Sequence, residues 1–145
     1  MAPFCGFPVL EEALSVMKPP IRQLLRAAFY GASALVGTLS LAPSAALPPA
    51  TIGDKAEHVI AYAVLGLLGG ASSERSVVRT ILGLAAFGIV IELLQEFSPG
   101  RSPDALDALA DFIGASVGAS AAAVLRWRAK PSAARAARSD AKPSQ

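Results

Sequence analysis

The stretch DKAEHVIAY, Asp54 to Tyr62, sets an acid, a lysine and the chain's only histidine at the start of an apolar run. At helical spacing Asp54, His58 and Tyr62 fall one turn apart on one side, so a polar ladder descends from an exposed helix end. Asp54 also suits the helix N-cap, where a carboxylate accepts free amide hydrogens and meets the favourable end of the helix dipole. A second polar group closes another apolar run at IELLQEFSPGR. There Glu92 and Glu96 are one turn apart with Gln95 beside them, and Ser98-Pro99-Gly100 forms a turn that presents Arg101. A third group opens the run after SPDALDALAD. On a helical wheel with Asp107 at zero, Asp104 falls at about 60°, Asp111 at about 40°, Gly114 at about −20° and Gly118 at about 20°. One face therefore carries three acids followed by two glycines.

Three chemistries fit such a set. A carboxylate and histidine pair can act as general base and acid on an amphipathic or lipid-linked substrate, with Arg101 holding a phosphate; His58, Glu92 and Asp107 are the catalytic candidates. Asp54, Tyr62, Gln95, Glu96, Arg101 and Asp111 are the ligand-binding candidates. One imidazole and several oxygens, His58 with Glu92, Glu96 and Asp107, also suit zinc or manganese. No HExxH or Cys/His spacing supports that, so neither a resident metal nor a cofactor is expected. The third chemistry is architectural, a network that joins helix ends and seals a polar pocket. A nucleophilic serine motif, a phosphate-cradling glycine loop and a dinucleotide fingerprint are absent.

These groups need elements to carry them. Of the 145 residues, 53% are hydrophobic and 17% charged, and the mean hydropathy is +0.49. That balance is too apolar for an ordinary soluble domain, and the partner it implies is the lipid bilayer. Four runs rich in Ala, Gly and Leu approach the roughly 20 residues that a spanning helix needs: 24–42, 56–70, 77–97 and 106–127. The second is short and needs its flanks to finish the crossing. The expected fold is all-α, an integral membrane bundle of four transmembrane helices. The expected domains are a cytoplasmic segment over 1–22, the bundle over 23–127, and a basic, disordered cytoplasmic tail over 128–145. Gly66 and Gly70, like Gly114 and Gly118, have the GxxxG spacing that lets helices approach closely.

Charge sets the orientation. With the N-terminus inside, eleven of the thirteen basic residues fall on the cytoplasmic side, leaving Lys55 and Arg101 outside. Seven of the eleven acids, Asp54, Glu57, Glu92, Glu96, Asp104, Asp107 and Asp111, then gather at the outer ends of three helices. Glu92 and Asp111 lie about a turn or more below the rim, where a carboxylate must be protonated, paired or bound to a cation. The expected location is the bacterial inner membrane, multi-pass, with both termini cytoplasmic. Met17, followed by Lys18, is an alternative start, and residues 22–50 loosely fit a cleavable signal. Cys5 alone cannot form an internal disulfide. Sequence pI is near 9.0, but no basic patch is interleaved with aromatics, so nucleic acid is not an expected partner.

DKAEHVIAYAVLG, followed after one helix by IELLQEFSPGRSPDALDALADFIGASVG, resembles the VanZ-like family of small bacterial membrane proteins. The resemblance lies in an Asp-Lys-x-x-His-x-x-x-Tyr opening, a Glu-x-x-Gln block ending in a Pro-Gly-Arg turn, and an Asp-x-x-x-(Asn or Asp)-x-x-Gly-Ala helix. It covers Asp54 to about Ala119. Asp111 stands where family members often have Asn, and Val59 where an aromatic often follows the histidine. The resemblance implies a multi-span membrane protein of the cell envelope, in a family named after a member associated with teicoplanin resistance, and it implies no settled reaction. An outward polar pocket built by the second, third and fourth spans is expected, serving an envelope ligand, a lipid-linked reaction or a non-catalytic accessory role.

Overall fold

The computed structural model describes residues 8–47, 52–73 and 76–129. They form four helices, α1 (Pro8–Leu41), α2 (Asp54–Ser72), α3 (Val77–Gln95) and α4 (Ala105–Ala129), with one 3-10 turn at Ser44–Ala46. Among the described residues there is no strand. Three segments among the described residues are long and apolar enough to cross a membrane: Pro20–Leu41, Val77–Gln95 and Ala105–Arg128. The second expected span, now α2, is not among them; its first turn carries Asp54, Lys55, Glu57 and His58. Arg128 and Ala129, expected to open the tail, continue α4; the rest of the expected tail, with Cys5, Glu74 and Arg75, lies outside the described residues.

Hydrogen bonds at the helix ends fix the directions. Gln95 Nε2 donates to Ser40 O at 3.1 Å and Ser98 Oγ to Leu41 O at 3.0 Å, so α1 and α3 finish at the same end of the bundle. At that end the α1 to α2 connection lies over the turn that follows α3, with Ser44 N donating to Pro99 O at 3.3 Å. α2 and α4 start there, bridged by Lys55. At the opposite end Arg26 Nε of α1 donates to Ser72 O at 3.4 Å. Arg126 of α4 donates to Gly70 O and Ser73 O. Two arginines thus satisfy the last carbonyls of α2, which no intrahelical amide can reach. Arg26 and Arg126 thus stand at the opposite end of the bundle from Lys55 and its carboxylates.

α2 packs mainly on α4, its parallel neighbour. The GxxxG glycines make that packing possible. A Cβ on Gly66 would lie 2.5 Å from Ala115 O and 2.9 Å from Ala119 N, and one on Gly70 would lie 2.7 Å from Ala122 Cβ. Gly114 and Gly118 present bare Cα atoms to the α2 backbone at Val59, Ala63 and Leu67. Small residues let dispersion contacts form between backbones without displacing lipid into gaps. The buried apolar cluster is small, Tyr62, Leu65, Leu84 and Ala115, with Phe29, Ala32, Val36, Ala61 and Phe87 against it. Large side chains point outward instead, among them Leu24, Leu82, Ile89, Leu93, Leu109 and Val117. That inversion suits a bundle whose solvent is hydrocarbon.

α2 and α4 run one or two residues beyond their expected ends, and the boundaries of α1 and α3 differ as well. α1 begins at Pro8 instead of near Leu24, and α3 stops at Gln95 instead of Phe97. The helix unwinds where Phe97 N and Ser98 N turn back to Leu94 O and Gln95 O, and Phe97 is left 81% exposed.

Candidate functional site

The polar end is assembled by three helices. Asp54 opens α2, but its side chain is not the cap: Gly53 holds that place with φ 96°, and its carbonyl accepts from Ala56 N and Glu57 N, both at 3.1 Å. A positive φ there suits only glycine without strain. Asp54 keeps the favourable first-turn position for an acid. The true side-chain cap lies on α4, where Asp104 Oδ1 accepts from Leu106 N at 2.8 Å. Asp104, expected within the acidic face of that helix, therefore sits just before its start.

Lys55 ties the two helices together, with Nζ 2.6 Å from Asp104 Oδ2 and 2.7 Å from Asp107 Oδ1. The Lys55 hydrogen bond, and after it the Leu106 amide, hold the Asp104 carboxyl below the ordinary carboxylate range. One turn deeper, His58 Nδ1 lies 2.8 Å from Asp111 Oδ1, and its Nε2 lies 3.9 Å from Asp107 Oδ2. With Asp111 ionised, the ring donates from Nδ1. Glu92 enters from α3, where Oε2 accepts from Asp104 N at 2.9 Å.

These acids are not solvated helix ends. Glu92 and Asp107 are each 6% exposed and Asp111 1%. Gly88 of α3 makes room for Asp111, since a Cβ there would lie 2.6 Å from Oδ2. Glu92 Oε1, Asp111 Oδ2 and the Tyr62 hydroxyl are buried and without hydrogen-bond partners among the described residues. His58, Glu92 and Asp111 offer ligand atoms that all lie within 4.8 Å of one another, and so do Asp54, His58 and Asp107.

The open space lies on the other side of His58. A cavity of about 350 Å³ is lined by Val36, Leu39 and Ser40 of α1, Leu47 of the connection, Asp54, Glu57, His58, Ala61 and Tyr62 of α2, and Arg101. Its wall opposite α2 is α1, where the second, third and fourth helices were expected to enclose the pocket. α4 packs too closely on α2, glycine against backbone, to leave such a space between them. Arg101 hangs at the rim, donating to Ala42 O at 3.4 Å and Leu39 O at 3.5 Å.

Of the nine candidates, His58, Glu92, Asp107, Asp111 and Asp54 fall in the two overlapping clusters, and Asp54, His58, Tyr62 and Arg101 line the cavity. Gln95 is buried but turned to α1, and Glu96 is exposed beyond the end of α3. Sequence reasoning passed over the α1 wall, because Val36, Leu39 and Ser40 read as ordinary span residues. It also left Lys55 out of the site candidates, although its place in DKAEH put it one turn above His58.

A family model for VanZ/LLP1 matches residues 19–126, which takes in α2 and α3 whole and most of α1 and α4. The chain belongs to the VanZ/LLP1 family. No curated protein and no solved structure matches it. The VanZ/LLP1 match extends beyond the three sequence blocks, into the α1 residues that wall the cavity and to Arg126 at the opposite end.

Proposed function

We propose that this VanZ/LLP1 protein is a four-span inner-membrane protein, both termini cytoplasmic, whose outward cavity binds an amphipathic or lipid-linked ligand of the cell envelope. The cavity's lining carries the reading. Val36, Leu39, Leu47 and Ala61 give it an apolar interior, and Asp54, Glu57, His58 and Arg101 give it a polar mouth. A lipid chain fits the first and a charged head group the second, with Arg101 as the group that holds a phosphate.

Two arguments support the topology. α2 has 19 residues, about 28 Å at 1.5 Å per residue, close to the hydrocarbon thickness. It runs alongside three apolar helices with its ends level with theirs, so if they cross, it crosses. Its C-terminal end is the one that Arg26 and Arg126 close, and a basic end belongs in the cytoplasm.

Native mass spectrometry of the protein, released from detergent and offered a polyprenyl phosphate or phosphatidylcholine, tests the binding. The reading expects preference for the phosphate monoester, with at least a tenfold loss for Arg101→Ala and for Leu39→Trp, which fills the cavity. Equal binding by parent and both variants would sink it. The physiological setting we assign is the envelope, including the response to glycopeptides. The paired His58 and Asp111 also favour a second reading, an enzyme in which His58 is the base and Glu92 and Asp107 its partners. Turnover of the bound lipid, lost in His58→Gln while binding persists, separates it from an accessory role.

A further inference from the structure

Glu92 and Asp111 are the two buried acids that the Lys55 network does not neutralise. Lys55 is engaged by Asp104 and Asp107. The ion pairs among the described residues give Asp111 only His58. Glu92 has one backbone amide on Oε2 and nothing on Oε1. Two carboxylates buried to this degree, within reach of one imidazole, need a counter-charge.

We propose that His58, Glu92 and Asp111 form a three-ligand site for one divalent first-row cation, Zn²⁺ or Mn²⁺, joining α2, α3 and α4. A neutral imidazole and two carboxylates carry a charge that one such ion cancels. The mixed nitrogen and oxygen donors suit these two metals better than Mg²⁺ or Ca²⁺, which favour oxygen alone. The ligand atoms lie within 4.8 Å of one another, and ligands at about 2.1 Å from zinc stand about 3.4 Å apart in a tetrahedron. The site therefore closes with small rotations of the Glu92 and Asp111 side chains. Glu92 supplies the independent sign of a ligand: a side chain 6% exposed, with Oε1 buried in the cluster and unpartnered.

The outer set is the weaker host. Asp54 is exposed, and Asp107 already has the Lys55 ammonium at 2.7 Å. Three protein ligands leave a further coordination position, and His58 also lines the cavity. This goes beyond the lipid-binding reading and does not depend on it, because the metal is tested alone.

The full chain, carrying no histidine tag, is stripped with chelator in mild detergent and titrated with ZnCl₂ or MnCl₂ against a chromogenic competitor. One ion per chain is expected, with a rise in melting temperature. His58→Gln, Glu92→Gln and Asp111→Asn should each weaken binding at least tenfold, while Asp54→Asn and Glu96→Gln leave it unchanged. Should His58→Gln fail to fold, Glu92→Gln decides. No stoichiometric binding overturns the proposal, as does equal binding in Glu92→Gln, and so does a loss confined to Asp54→Asn, which would put the ion in the outer set.

Discussion

Replacing Gly66 by alanine tests the contact that brings His58 to the α4 carboxylates. The added Cβ would stand 2.5 Å from Ala115 O and 2.9 Å from Ala119 N. A carbon to oxygen contact relaxes at about 3.3 Å, so α2 and α4 must part by about 0.8 Å over this stretch. Both partners are backbone, which no rotamer change can move. Overpacking of this kind costs about 1 to 3 kcal/mol. The fair comparison is Gly83→Ala, because a Cβ on Gly83 meets nothing within 4 Å. That change should be neutral or stabilise the helix by up to about 1 kcal/mol. The two alanine variants should therefore differ by about 1 to 4 kcal/mol. Reversible unfolding in mixed micelles, followed by circular dichroism, measures the difference. Equal stability of the two variants would refute the packing argument, and with it the placement of His58 against Asp111.

Other expectations follow from the same geometry. Gly88→Ala pushes on the Asp111 carboxylate, whose Oδ2 would be 2.6 Å away, and because His58 is the only histidine, its single set of imidazole NMR signals should shift, with Gly83→Ala leaving them in place. The depressed Asp104 carboxyl contributes stability that is present above the ordinary carboxylate range and is lost as pH falls through its folded value. Asp104→Asn should flatten that acid limb of the melting profile, and an unchanged limb would contradict the pairing. Arg126→Gln frees two carbonyls at the C-terminal end of α2 and should cost about 2 kcal/mol in the same unfolding assay, the scale of a hydrogen bond from a charged donor.

Much of the polar end was legible because helical spacing is rigid. Asp54, His58 and Tyr62 do share the face that lines the cavity, and Asp107, Asp111, Gly114 and Gly118 share the face that α4 turns to α2. Spacing could not say where a helix stops. Glu96 was expected beside Glu92, but it falls at the C-cap of α3, past Gln95, and is exposed there. Nor could spacing choose neighbours across the bundle. Gln95 looked like part of the acidic set, yet it satisfies Ser40 O on α1. The cavity was placed among three helices because their acids converge. Converging acids with glycine behind them pack tightly, and the space opened instead between α1 and α2. Asp54 and Asp104 exchanged roles for a similar reason: both residues suit a cap, and only the backbone turn at Gly53 decides which one serves.

The central claim is that the polar end of this bundle opens to the outside of the cell. Cysteine labelling in intact spheroplasts tests it directly. In a Cys5→Ala background, a membrane-impermeant maleimide is offered to Asp54→Cys at the cavity mouth and to Arg128→Cys at the opposite end, both exposed positions. Labelling at position 54 before lysis, and at position 128 only after it, is the predicted result. The reverse pattern would contradict the account, turning the His58 cluster and its cavity toward the cytoplasm.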